Sequence, residues 1–341
     1  MQETVSMAHG SGGTMMRELI NNIFLQSYAT MPLLKGDDAA ALHLPTADDA
    51  RMMAMTTDSF VVSPHFFPGG DIGKLAICGT VNDLATSGAS PHYISCAFIL
   101  EEGYPLQDLK RICMSMARAS EEAGVLIVTG DTKVVERGHG DGVYINTTGV
   151  GFIAPGLDLS GANCRAGDKI LLSGTLGDHG IAIISVREGL GFSTSIQSDA
   201  APLNHLVQSV IAAVPEVRCF RDPTRGGLAS TLNELAVQSH VDILVYEDAV
   251  PVADEVRGAC DLLGYDVFQV ANEGKMVCVV PGDVANIALS AMKSTAYGAN
   301  AAIIGEVLPC GSQSVGFSAS EAVNSGAGNM GFGVGGAINS G

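Results

Sequence analysis

The sequence predicts an α/β chain, partly α+β in character, built as two domains. Three observations predict it. Short apolar runs alternate with amphipathic stretches of helical period from about residue 52 to residue 307. The length, 341 residues, suits two domains or one large one. Hydrophobic residues make up 47% and charged residues 16%, enough to fill a large core. Ala154-Pro155-Gly156 is the plausible boundary, dividing residues 1–154 from 155–310. Residues 311–341 differ in texture, with nine Gly, no Lys or Arg, and Glu321 as their one acid, and read as a flexible Gly/Ser-rich tail.

The first half opens with MAHGSGG, residues 7–13, a Gly-rich loop followed by a helical pattern from Thr14. Gly10, Ser11, Gly12 and Gly13 could present backbone N–H groups to an anion at a helix start, although Gly-rich turns before helices are commonly only turns. In Gly36-Asp37-Asp38 two adjacent acids cannot point the same way on an extended segment, so at most one is a direct ligand and a solvated turn is the other reading. Met52–Thr57 reads as a strand ending at Asp58. Gly73–Ser87 reads as a helix on the apolar set Leu75, Ile77, Val81, Leu84 and Ala85, stopped by Gly88 and Pro91. His92–Leu100 is a strand and Leu106–Ala123 an amphipathic helix capped by Gly124. The strand Val125–Thr129 runs into Gly130-Asp131-Thr132-Lys133, and Val143–Ile153 is a further strand.

The second half repeats the alternation. The strand Lys169–Ser173 meets a Gly-rich loop, residues 174–180, and a helix from Ile181; this unit is neither a P-loop nor GxGxxG. Helix 203–213 follows, then RDPTRGG before the helix Leu228–Gln238, the strand Val241–Tyr246 and the helix Val252–Leu263. A strand over Val267–Ala271 stops at Asn272-Glu273-Gly274-Lys275. Strand Met276–Val280, helix 284–294 and strand Ala301–Val307 complete the series.

Composition excludes several classes. Eighteen basic against 36 acidic residues give a net charge of −18, and Trp is absent, so nucleic acid is not an expected partner. The eight Cys form no CxxC, which removes a local zinc signature and suits a reducing cytoplasm. No uncharged apolar run approaches ~18 residues, and the N-terminus lacks a basic and an apolar targeting region, so neither a membrane span nor a leader is expected.

The chemistry-bearing residues are acids. Asp83 stands in an apolar helix, where a carboxylate is costly unless neutralised by a cation, by a hydrogen-bond cage or by Lys74 or Lys133. Asp58 and Asp131 follow apolar runs and could be caps. Taken jointly, the three suit a hard cation with oxygen ligands, of which Mg²⁺ with nucleotide phosphates is the commonest use. Lys133, on the same side of an extended segment as Asp131, and Glu273 are acid/base candidates; the alternatives are a carboxylate partner for Lys133 and pairing of Glu273 with Lys275. His9, in the Gly-rich loop, is most simply a loop histidine.

Together AHGSGG, GDDAA, TTDS, GGDIGKLAICGTVNDLATSGA, ILEEG, VTGDTKVV, LSGTLGDHG, RDPTRGG and ANEGK resemble the AIR-synthetase-like (PurM-like) superfamily across residues 5–307, in order. Within it they are most similar to the HypE family of hydrogenase maturation factors. The resemblance implies an N-terminal domain forming a β-barrel across a homodimer and a C-terminal α/β domain. It implies ATP-dependent dehydration of a C-terminal cysteine S-carboxamide to a thiocyanate that supplies cyanide for iron, with a HypF-type carbamoyltransferase and a HypC–HypD complex as partners. It implies ATP contacts at Gly10, Ser11, Gly12, Gly13, Asn82, Asp83 and Thr132, Mg²⁺ on Asp38, Asp58, Asp83 and Asp131, and chemistry at Lys133, Glu273 and His9. That family ends in Pro-Arg-Ile-Cys, whereas this sequence ends in Asn339-Ser340-Gly341 and its last Cys is Cys310. The alternative expectation is therefore an ATP-binding maturation scaffold without turnover. Selenophosphate synthetase, thiamine-monophosphate kinase and AIR synthetase itself match these motifs less well.

Overall fold

The computed structural model describes residues 13–19, 21, 34, 40–43, 52–189 and 196–312. In the first half the elements run α1 (Gly13–Leu19), β1 (Ala40–His43), β2 (Met52–Phe60), β3 (Phe66–Phe67), β4 (Gly70–Asp71), α2 (Ile72–Thr86), β5 (Ser90–Glu101), α3 (Leu106–Ala123), β6 (Leu126–Val135) and β7 (Val143–Ile153). The second half continues with β8 (Lys169–Leu172), α4 (Asp178–Arg187), α5 (Asn204–Ala213), β9 (Cys219–Arg221), α6 (Gly227–Ser239), β10 (Asp242–Val245), α7 (Asp254–Leu263), β11 (Val277–Val280), α8 (Ala285–Lys293) and β12 (Ala302–Leu308). No helix among the described residues is long and apolar enough to cross a membrane.

Among the described residues the first sheet has five strands in the order β1-β2-β7-β5-β6. Its neighbours pair antiparallel except β5 and β6, which are parallel. Period-2 patterning fixes the buried face: Ala54, Thr56 and Phe60 of β2, Val143, Ile145 and Thr147 of β7, and Ile94 and Cys96 of β5 turn toward the helices. Helix α2 packs on that face and on α3, within a core that includes Ile77, Val81, Ile94, Ile112 and Met116. Asp71 caps α2, its Oδ1 accepting from Gly73 N (2.8 Å) and Lys74 N (2.9 Å).

Every residue of α2 except Lys74 and Asp83 is buried. A helix apolar on all sides is one with neighbours on all sides. The second neighbour is the other half of the chain: Ala85 enters a core shared with Leu171, Leu206, Phe220 and Cys278. There a second five-stranded sheet, wholly antiparallel in the order β10-β12-β8-β11-β9, carries helices on both faces.

Three readings change. The apolar run Val267–Ala271 is not a strand; Val267–Gln269 forms a 3₁₀ turn, with Asp266 Oδ1 accepting from Phe268 N at 3.0 Å. Asp58 is not at a strand end, because β2 continues to Phe60. Nor is Asp131, since the strand that opens at Leu126 continues through Gly130 to Val135. Gly130 is required there: a Cβ at that position would lie 2.1 Å from Cys96 O on β5.

Candidate functional site

The two halves meet at a cleft of about 300 Å³, lined from the first half by Thr56, Thr57, Asp58 and Asp83, and from the second by residues including Arg221, Asp222, Arg225 and Glu234. Asp58 projects from β2 toward the helices; Asp83 is one of the two residues of α2 that escape full burial. Asp83 Oδ2 accepts from Thr56 Oγ1 at 3.0 Å, so strand and helix are locked where both carboxylates emerge. The lysines considered as partners for Asp83 are engaged elsewhere: Lys74 Nζ donates to Gly69 O at 3.2 Å, and Lys133 pairs with Asp131.

Asp58 sits 4.0 Å from Arg225 Nη2, and Ser59 N donates to its Oδ1 at 2.7 Å. Burial nevertheless raises its pKa above the usual carboxylate value. Arg225 belongs to the RDPTRGG loop, whose end is set by two left-handed glycines, Gly226 (φ 74°) and Gly227 (φ 62°); a Cβ on Gly227 would lie 2.4 Å from Phe268 O. Asn272 ties this loop to its neighbours. Its Nδ2 donates to Pro223 O at 3.1 Å, and its Oδ1 accepts from Gly177 N of the 174–180 loop at 2.8 Å.

Glu273 follows directly. Desolvation pushes its carboxyl well above the ordinary glutamate range, and the facing carboxylates of Asp222, Asp199 and Asp58 push the same way, against a smaller opposing pull from Arg225. Among the described residues no donor reaches that carboxyl. Lys275 does not pair with it; its ammonium goes to Asp199 Oδ2 at 2.9 Å and Asp178 Oδ2 at 3.5 Å. A partly desolvated carboxyl with no hydrogen-bond donor and a raised pKa is suited to exchanging a proton with a bound group.

The structure separates the remaining candidates. Asp131, Thr132 and Lys133 are exposed on β6. Lys133 Nζ donates to both oxygens of Asp131, at 2.9 and 2.7 Å, which holds the aspartate pKa below its usual value. Cross-strand partners run Asp58–Thr147–Cys96–Gly130. Asp131, one residue beyond that row, therefore points to the opposite face of the sheet from Asp58 and lies roughly 14 Å away, three strand spacings. The expectation that Asp58, Asp83 and Asp131 converge is not met within one chain, and no cluster of three or more His, Cys, Asp or Glu is poised for a metal among the described residues.

Asp58 and Asp83 by themselves fit Mg²⁺, which takes one or two carboxylates and fills its other positions from phosphates and water. Asn82 is buried and turned to the second half of the chain. Gly13 begins α1. His9, Gly10, Ser11, Gly12 and Asp38 lie outside the described residues, as does the tail beyond Ser312. Asp222, Glu234, Arg225 and Asp199 were not singled out as site residues from the sequence. The only local signal for the first and third is their place in RDPTRGG before a helix; Asp199 and Glu234 carry none.

Residues 36–153 match the N-terminal domain, and residues 165–317 the C-terminal domain, of the AIR synthase related proteins. The chain is 55% identical over 305 residues to carbamoyl dehydratase HypE of Azotobacter vinelandii, covering 89% of this chain and 88% of that protein. It is 47% identical over 305 residues to carbamoyl dehydratase HypE of Escherichia coli, covering 89% and 90%. Among solved structures, a HypE–HypF complex matches with a TM-score of 0.83 at 46% identity, covering 92% of this chain and 99% of that one. HypE in complex with ATP matches with a TM-score of 0.76 at 48% identity, covering 91% of each. Thiamine monophosphate kinase of Aquifex aeolicus shares the fold, with a TM-score of 0.64 at 16% identity.

Proposed function

The chain belongs to the AIR synthase related family and, within it, to the HypE carbamoyl dehydratases, and on that premise we propose that it is the ATP-dependent enzyme that dehydrates a cysteine S-carboxamide to a thiocyanate during hydrogenase maturation. The reaction consumes one ATP per carboxamide: the carboxamide oxygen leaves as phosphate, both nitrogen protons are lost, and the nitrile remains on sulfur. The observation that carries the reading is Glu273, a carboxyl with a raised pKa beside the cleft that Asp58 and Asp83 line.

When bound, ATP would supply the phosphoryl group that makes the carboxamide oxygen a leaving group, and Mg²⁺ would supply charge neutralisation. The protein's part is to place and deprotonate. Asp58 and Asp83 would hold the cation on their side of the cleft, and Arg225 offers a guanidinium to anionic oxygens within it. In its ionised form Glu273 accepts one carboxamide nitrogen proton, the other leaving with the phosphate, and its raised pKa makes that form a stronger base than an ordinary carboxylate. The relative solved with ATP supports the nucleotide, and the relative solved with HypF supports a carbamoyltransferase partner. Transfer of the cyano group to a HypC–HypD complex is the finer extension of the same reading.

A homodimer completes it. β6 is the outer strand of its sheet and exposes Leu126, Ile127, Val128 and Val134, while Met55, Tyr93 and Ile99 add apolar area on the face turned away from the helices. An apolar edge of this length calls for a covering partner. A second copy, closing the two sheets into a barrel, would cover it and bring Lys133 and Asp131 toward the facing cleft.

The test uses the purified protein with Mg²⁺, ATP and a short peptide ending in S-carbamoyl-cysteine. The expected result is loss of one water from the peptide, matched by ADP and phosphate. ATP binding without ADP formation or peptide conversion would overturn the dehydratase reading in favour of a scaffold.

A further inference from the structure

Glu273 has no hydrogen bond on its carboxyl among the described residues, yet its backbone is gripped from two directions. Its N–H donates to Asp199 Oδ1 at 3.1 Å. Its carbonyl accepts from Asn82 Nδ2 at 3.3 Å. Asn82 is 1% exposed, and its amide serves this junction throughout: Nδ2 also donates to Ala201 O at 3.0 Å, and Oδ1 accepts from Leu203 N at 2.7 Å. Asp199 is fixed in turn by Lys275 Nζ at 2.9 Å. The segment holding Asp199 is anchored to the first half through Ser198 N donating to Pro68 O at 2.8 Å.

We propose that Asn82 and Asp199 are positioning residues that clamp the backbone of Glu273, and that Asn82 is not a nucleotide contact. This rests on Glu273 being the proton-accepting residue of the dehydration. Consecutive residues on a helix point about 100° apart. Asp83 therefore faces the cleft while Asn82 faces the second half. One turn of a fully packed helix sets the carboxylate that would hold the cation and the loop that carries the base. Their separation is then as rigid as the helix, which is what a reaction needing both at one substrate requires.

The test compares Asn82→Ala, Asp199→Ala and the isosteric Asp199→Asn with the parent protein. Amide exchange across residues 272–275 should accelerate about tenfold or more in both Ala variants, as one backbone restraint is lost. Asp199→Asn keeps an acceptor for the Glu273 N–H and should restore slow exchange. ATP affinity, measured by calorimetry, should stay within about twofold for Asn82→Ala, while kcat for peptide dehydration falls by up to roughly 100-fold at unchanged KM for ATP. Weakened ATP binding with unchanged exchange in Asn82→Ala would make it a nucleotide ligand and overturn the proposal. Unaltered exchange in Asp199→Ala would do so as well, and it covers the case in which Asn82→Ala fails to fold. A parent protein that never converts the peptide would sink the dehydratase reading alone, since the exchange comparison does not depend on turnover.

Discussion

Burial and three nearby carboxylates disfavour the charge of Glu273 in the folded protein, so its folded pKa lies above the value in the unfolded chain. The unfolded value is about 4.3. Above that pH and below the raised folded pKa, the native state binds more protons than the unfolded state, so stability falls as pH rises, by at most about 1.4 kcal/mol per pH unit from this one group. Glu273→Gln, which mimics the protonated acid, should remove that slope and be more stable than the parent at neutral pH while losing dehydration. Urea unfolding of both proteins between pH 5 and pH 8 measures the difference; parallel curves would mean that Glu273 is ionised in the fold. The sequence pointed to Glu273 but left Lys275 as its partner, two residues on. What it could not convey is that Lys275 reaches Asp199 and Asp178, 76 and 97 positions away along the chain. Local spacing carries no information about such a bond. Asn82 shows a related limit: the ND pair is legible in the sequence, but which of the two faces the cleft depends on the packing of the second half.

At the scale of the element, α2 was recognisable because it lacks a polar face, and its limits at Ile72 and Thr86 differ by one residue from the sequence reading. Leu106–Ala123 was read to the residue, since an amphipathic period and a left-handed Gly124 (φ 71°) mark its face and its end. Val267–Gln269 was misread because a run of three to five apolar residues has no period to measure, and the side-chain bond from Phe268 N to Asp266 decided the turn. Gly73 gives α2 a further test. Propensity alone favours Ala over Gly inside a helix by about 1 kcal/mol. Here an added Cβ would lie 2.6 Å from Ile112 O and 2.8 Å from Met116 Cγ of α3. The clash outweighs propensity, and Gly73→Ala should destabilise by about 1–3 kcal/mol, as overpacking generally does. Denaturant unfolding measures it; a stabilised variant would mean that α3 shifts freely and that the α2–α3 contact is looser than described.

For the whole molecule, the unresolved issue in the sequence was whether the acids meet, and the fold answers it by face. Asp58, Asp83 and Glu273 gather on the helix side of the first sheet, whereas Asp131 and Lys133 stand on its other side at the exposed edge. The sheet stands between the two groups in a single chain. If Lys133 takes part in the chemistry, a second copy delivers it. Twofold symmetry then makes two sites, each with Glu273 from one chain and Lys133 from the other. This arrangement has a signature that no single-chain site can imitate. Lys133→Ala and Glu273→Gln should each be inactive, yet a co-expressed mixture should recover about a quarter of parental activity, because half the dimers are mixed and one of the two sites in each mixed dimer carries both native residues. A charged substitution on the edge, such as Val134→Lys, should shift sedimentation toward the monomer and abolish that recovery. No recovery in a mixture whose mixed dimers are verified by mass would place Lys133 outside the reaction or within the same chain's site, and the apolar edge of β6 would then need another occupant.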